Sequence, residues 1–136
     1  MASFPTTVAM LILGAMPSIL PAQGRPALGQ VESITEGLID TAIAYEIGER
    51  CDGIDGKKLQ GLAFLLSLRA EARRLGYSAR EIDAFIDDDA EKDRLEAIAR
   101  QRLRDMGAVE GEWETYCDVG RTEIAKASRI GRLLQD

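Results

Sequence analysis

Apolar residues recur at three- and four-residue steps along almost all of the chain after residue 33, and no stretch alternates with a period of two. A 3.6-residue repeat turns one side of a helix inward, whereas a half-buried strand needs strict alternation. The pattern therefore favours helices. Residues 34–136 read as one all-α domain, a compact bundle of four or five helices. A chain of 136 residues suits one such domain and not two.

The first helix is predicted from Ile34 to Arg50, with Leu38, Ile39, Ala42, Ile43, Ile47 and Cys51 on one face. Asp52–Gly56 breaks it with two glycines. The second helix is predicted from Lys57 to Leu75. Leu59, Leu62, Ala63, Leu66 and Ala70 make its main stripe, widened by Phe64, Leu65 and Leu68, so it is expected to be the most buried. Gly76 stands where a C-terminal cap belongs, and Ser78 with Glu81 forms a capping box for the next helix. From Ala79 to Met106 two apolar stripes lie half a turn out of phase. Either one helix bends at Asp87–Asp89, or a second helix restarts with Asp88 as its N-cap. The last helix is predicted from Glu112 to Leu134, with Trp113, Tyr116, Cys117, Gly120, Ile124, Ala127, Gly131 and Leu134 facing inward. Gly120 and Gly131 read as close backbone approaches, to a helix of the same domain or to one of a partner.

The N-terminus is of another kind. The first charged side chain is Arg25, and an apolar run, Val8–Leu20, precedes it, broken by Pro17 and Ser18. Its length suits the core of a secretory signal and is short for a membrane span of ~20 residues. Residues 1–22 are expected to be a signal peptide, with cleavage as late as Gly29. The missing Lys or Arg before the run departs from an ordinary signal. An uncleaved membrane anchor and a buried helix of a cytosolic domain are the alternatives. Residues 23–33 are expected to form a flexible segment. The expected location is periplasmic or secreted, or membrane-anchored if the segment is retained.

An even number of cysteines in an exported chain suggests pairing. Cys51 and Cys117 are the only two. A link across so long a loop contributes about 4 kcal/mol in the chain-entropy model. Two buried free thiols are the alternative, and a redox pair lacks the Cys-x-x-Cys arrangement. There is no histidine, which removes Ser-His and Cys-His nucleophile pairs and His-ligated zinc or haem. A net charge of −6 argues against a general nucleic-acid binder.

Other clusters carry weaker chemistry. Asp52–Gly56 resembles the start of a calcium loop, but its twelfth position is Ala63 rather than Glu. Asp83, Asp87, Asp88 and Asp89 read as a solvated helix end. Arg69, Arg73, Arg74 and Arg80, then Arg94, Arg100, Arg102 and Arg104, read as a salt-bridged surface, with an acidic partner or an anionic lipid surface as the alternative. Glu46 borders the first apolar stripe. Arg121 and Glu123 are expected to contribute a structural ion pair. No residue is assigned a catalytic, cofactor-binding or metal-binding role.

Three strings then combine: Glu91-Lys92-x-Arg94, Glu114-x-Tyr116-Cys117-x-x-Gly120-Arg121-x-Glu123-Ile124-Ala125 and Ser128-x-Ile130-Gly131-x-Leu133-Leu134. With Ala44-x-Glu46-Ile47-x-x-x-Cys51 and Gly76-Tyr77-Ser78-x-x-Glu81-Ile82, they resemble the bacterial domain-of-unknown-function family 5333 over residues 34–134. The resemblance implies an exported, helical, two-cysteine domain with no assigned activity and an accessory role in the cell envelope. The expected function is a non-enzymatic envelope accessory or protein-binding domain, its partner an envelope or membrane protein complex. No nucleic acid or specific small molecule is expected. A carboxylate/arginine-based enzyme or a small-ligand-binding module is the alternative.

Overall fold

The computed structural model describes residues 24–136. The signal peptide expected at residues 1–22 lies outside the described residues. The order of elements is α1 (Glu32–Arg50), β1 (Asp55–Gly56), α2 (Lys58–Arg74), α3 (Ala79–Ile86), α4 (Asp89–Asp105), α5 (Trp113–Lys126), α6 (Arg129–Arg132) and β2 (Leu134–Gln135). The domain is all-α, with five substantial helices, one short one and a disulfide between Cys51 and Cys117.

Helix α1 is the central element, because two apolar faces wrap around it. Ile39, Ile43 and Ile47 join Leu95, Ala99 and Leu103 of α4 and Tyr116 and Val119 of α5 in the main core. Ile130, Leu133 and Leu134 close that core from the C-terminus. Ile34 faces a second, smaller core with Leu28, Leu68, Ala72, Tyr77 and Ile82. Of residues 23–33, expected as a flexible segment, the described 24–33 hold a 3-10 turn at Leu28–Gln30 and the first two residues of α1. Leu28 is buried there, the Tyr77 hydroxyl donates to the Pro26 carbonyl, and Arg25 reaches Glu81 at 3.4 Å.

The segment from Ala79 to Met106 is two helices. The Ser78 hydroxyl accepts from the Glu81 amide at 3.1 Å, and the Ser78 amide donates to Glu81 at 2.6 Å, completing the capping box. Asp88 accepts from the Ala90 and Glu91 amides at 3.0 and 3.2 Å and restarts the chain as α4. These bonds satisfy amides that have no partner within the helix.

Three expectations need correction. First, the last helix does not reach Leu134. It ends at Lys126, Ala127 takes a left-handed φ of 50°, and Ser128 caps α6 by accepting from the Gly131 amide at 3.0 Å. The chain thereby turns back on α5, so closely that a Cβ on Gly131 would collide with the Glu123 carbonyl. A Cβ on Gly120 would lie 2.6 Å from Ile54 and 2.9 Å from Ile47. Both glycines therefore serve packing inside the domain. Second, β1 and β2 pair antiparallel, Asp55 opposite Gln135 and Gly56 opposite Leu134. Strands of two residues are too short to show alternation in a sequence.

Third, α2 is not the most buried helix. Only Leu68 and Ala72 are buried, while Leu59, Leu62 and Leu66 are 83, 55 and 56% exposed. The helix is apolar on two sides. It docks with Phe64, Leu68 and Ala72 and leaves the expected main stripe outside.

Candidate functional site

Helix α2 approaches α1 at Gly37, where a Cβ would come within 2.8 Å of Leu68 and 3.2 Å of Phe64. Beside this close approach α1, α2, α3 and α4 enclose an apolar groove of about 480 Å³. Ile34, Leu38, Leu68 and Leu95 line its depth. Tyr45 and Ile86 stand at its margin, 64 and 60% exposed. Water-exposed apolar side chains around a concavity are the usual mark of a binding surface.

Besides the Tyr45 hydroxyl, the polar groups lining the groove are Thr41, Arg69, Lys92 and Glu96. Thr41 donates its hydroxyl to the Gly37 carbonyl at 2.8 Å, as helical threonines often do. Arg69 binds Asp83 at 2.9 Å, and Glu96 lies 3.8 Å from Arg100. These three are engaged with their own domain. The lining can exclude water and hold an apolar side chain or tail.

A second cluster joins α1 to the rest of the domain. Glu36 accepts two hydrogen bonds from the Arg102 guanidinium, at 2.6 and 2.7 Å, and Asp40 accepts one from Arg129 at 3.1 Å. The Arg102 hydrogen bonds hold the Glu36 carboxyl below its ordinary range. Burial pushes the Asp40 carboxyl up, against the pull of Arg129. Each carboxylate faces a guanidinium, which makes the group a clasp between α1, α4 and α6. Sequence reading missed it. Glu36 and Arg102 are 66 positions apart, Asp40 and Arg129 are 89, and neither pair leaves a local pattern.

The structure distributes the sequence candidates as follows. Cys51 and Cys117 are bonded, with sulfurs 2.02 Å and Cα atoms 5.2 Å apart, and both are buried. The link ties the end of α1 to the first turns of α5, where Arg50 stacks 4.8 Å over the Trp113 ring. Asp55 and Gly56 form β1 rather than a cation loop. Asp88 caps α4 and Asp83 pairs with Arg69. Among the described residues, no group of three or more Cys, Asp or Glu side chains is arranged to hold a metal ion. Glu46 pairs with Arg50 at 3.5 Å. Arg121 and Glu123 each contribute to an ion pair, though not with one another: Arg121 reaches Glu114 and Asp118 at 3.2 and 3.4 Å, and Glu123 lies 3.5 Å from Lys126. They point to opposite sides of α5, since neighbours two apart on a helix do not share a face.

Fold and site define a small, disulfide-clamped helical domain that carries an apolar groove between its first four helices. Residues 26–135 match the family of unknown function DUF5333, and the chain belongs to that family. No curated protein and no solved structure matches it.

Proposed function

We propose that this chain is an exported, non-enzymatic cell-envelope domain that binds another protein through the groove lined by α1, α2, α3 and α4. The observation that carries the reading is the concavity itself, apolar in depth and ringed by exposed Tyr45 and Ile86. An apolar helix of a partner fits such a groove through side chains at three- and four-residue steps. The buried disulfide supports a periplasmic or secreted location, since such links persist in oxidising compartments. Retention of the apolar N-terminal run as a membrane anchor is the alternative. Processing after residue 22 would leave Arg25, Pro26 and Leu28 on the domain, whereas processing after Gly29 would strip them away.

A second reading has one observation in its favour. The groove volume falls within the range of small-molecule sites, roughly 300–1,000 Å³, so a lipophilic small molecule is the alternative occupant.

The test is recovery of the tagged full chain, expressed at its own level, from gently solubilised envelopes. Wild type should bring down a stoichiometric companion protein, and Ile86→Glu should lose it while remaining folded. Recovery without a companion, or with one indifferent to Ile86→Glu, would overturn the reading.

A further inference from the structure

The outer face of α2 is separate from the groove: none of Leu59, Leu62 and Leu66 lines it. At 100° per residue these three leucines fall within about 60° of one another. Lys58 and Arg73 fall on the same side of the helix, beyond the leucines at its two ends, whereas Arg69 lines the groove and is bound to Asp83. The stretch Lys57–Arg74 holds five of the chain's 17 basic residues and one of its 23 acidic ones. A strongly acidic protein thus presents one basic, apolar helix. Among the described residues, no carboxylate lies within 4.0 Å of Lys57, Lys58, Arg73 or Arg74, and Arg73 makes one long hydrogen bond, donating to the Tyr77 carbonyl at 3.4 Å. Two acidic groups on or beside α2 are already engaged. Glu71 accepts from the Ser33 hydroxyl at 2.6 Å, and Asp83 is held by Arg69.

The charge pattern selects the occupant. A parallel pair of α2 helices from two copies would set Lys58 against Lys58 and Arg73 against Arg73. An antiparallel pair would set Lys58 against Arg73. Either way like charges meet across the apolar seam, which disfavours a second copy. The large apolar members of the face are all leucine, a residue under-represented among the side chains that anchor protein interfaces, and the rest of the stripe is alanine, Ala63 and Ala70. A lipid surface conforms to a helix. It takes leucine into the acyl boundary while lysine and arginine extend to phosphate.

We propose that α2 lies in the plane of an anionic bilayer surface, with Leu59, Leu62 and Leu66 in the interface and Lys58 and Arg73 on lipid phosphates. This contact goes beyond the groove and does not depend on it.

The test uses the full chain carrying Trp113→Phe and Leu62→Trp, so that the single indole reports on α2 alone. It is titrated with phosphatidylcholine vesicles with and without about a third phosphatidylglycerol. The expected result is a blue-shifted emission, quenched by brominated acyl chains, at least about tenfold more readily on the anionic vesicles. Lys58→Gln and Arg73→Gln should weaken this about fivefold each. The apolar N-terminal run can carry the chain to vesicles by itself, but it cannot place the indole at position 62 in lipid. An indole that stays in water on bound vesicles would overturn the proposal. So would equal response to neutral and anionic lipid, or a shift that grows with protein concentration without vesicles, which would indicate a second copy. An indole covered only in the companion complex from envelopes would indicate an acidic protein instead.

Discussion

Glu36 and Asp40 lie one turn apart on α1 and respond to their surroundings in opposite directions. Arg102 lowers the Glu36 pKa from 4.5, so Glu36 adds stability that is full above 4.5 and lost as pH falls through its lower folded value. Burial raises the Asp40 pKa from 3.8, so its charge costs stability above the raised value, and that cost is relieved as pH falls through it. Glu36→Gln should lower stability at pH 7 by about 0.5–1 kcal/mol, a modest loss because solvent screens the pair. Both side chains are 37% exposed. Urea unfolding from pH 7 downward should show the gap between variant and wild type closing only below 4.5. A gap that stays constant through the acid range would contradict this origin. Single residues were legible in the sequence where they act on near neighbours. Ser78 with Glu81 and Asp88 with Glu91 announced two helix starts, because a cap binds amides two or three positions away. The Glu36–Arg102 and Asp40–Arg129 pairs were not legible, because folding alone brings their members together.

At the scale of elements, the helical repeat located the helical segments, left residues 79–106 open between one bent helix and two, and did not show the way each one faces. α2 shows why: leucines on two sides give the same repeat whether or not the outer stripe is covered. The break between α5 and α6 was hidden for a different reason. Ser128 reads as an ordinary helix interior until Ala127 adopts its left-handed turn, which few non-glycine residues do. The cysteine pair was legible from count alone, and it joins α1 to α5 as an element-to-element clamp. A double Cys51→Ala, Cys117→Ala variant should unfold with about 4 kcal/mol less stability, the entropy of closing a loop 66 residues long. Urea titration of both forms, followed by far-UV circular dichroism, checks this. A loss under about 1 kcal/mol would mean that packing between the two helices already supplies what the bond constrains.

For the whole molecule, the sequence identified the class of domain and its family but not the surface it offers. Of the two readings open for Gly120 and Gly131, packing inside the domain holds, so neither marks a partner surface. The groove lies on the other helices, assembled from Leu28 of the 3-10 turn and residues between Ile34 and Glu96 on α1, α2, α3 and α4. No short motif marks it, since its parts are ordinary apolar helix positions whose exposure only the tertiary arrangement decides. The most direct measurement is photocrosslinking in living cells from a photoreactive side chain at position 45, at the groove margin. A matched side chain at position 118, on the exposed outer side of α5, serves as the control. One discrete protein adduct from position 45 and none from position 118 is the expected result. No adduct from position 45, or the same adducts from both positions, would contradict a docking role for the groove.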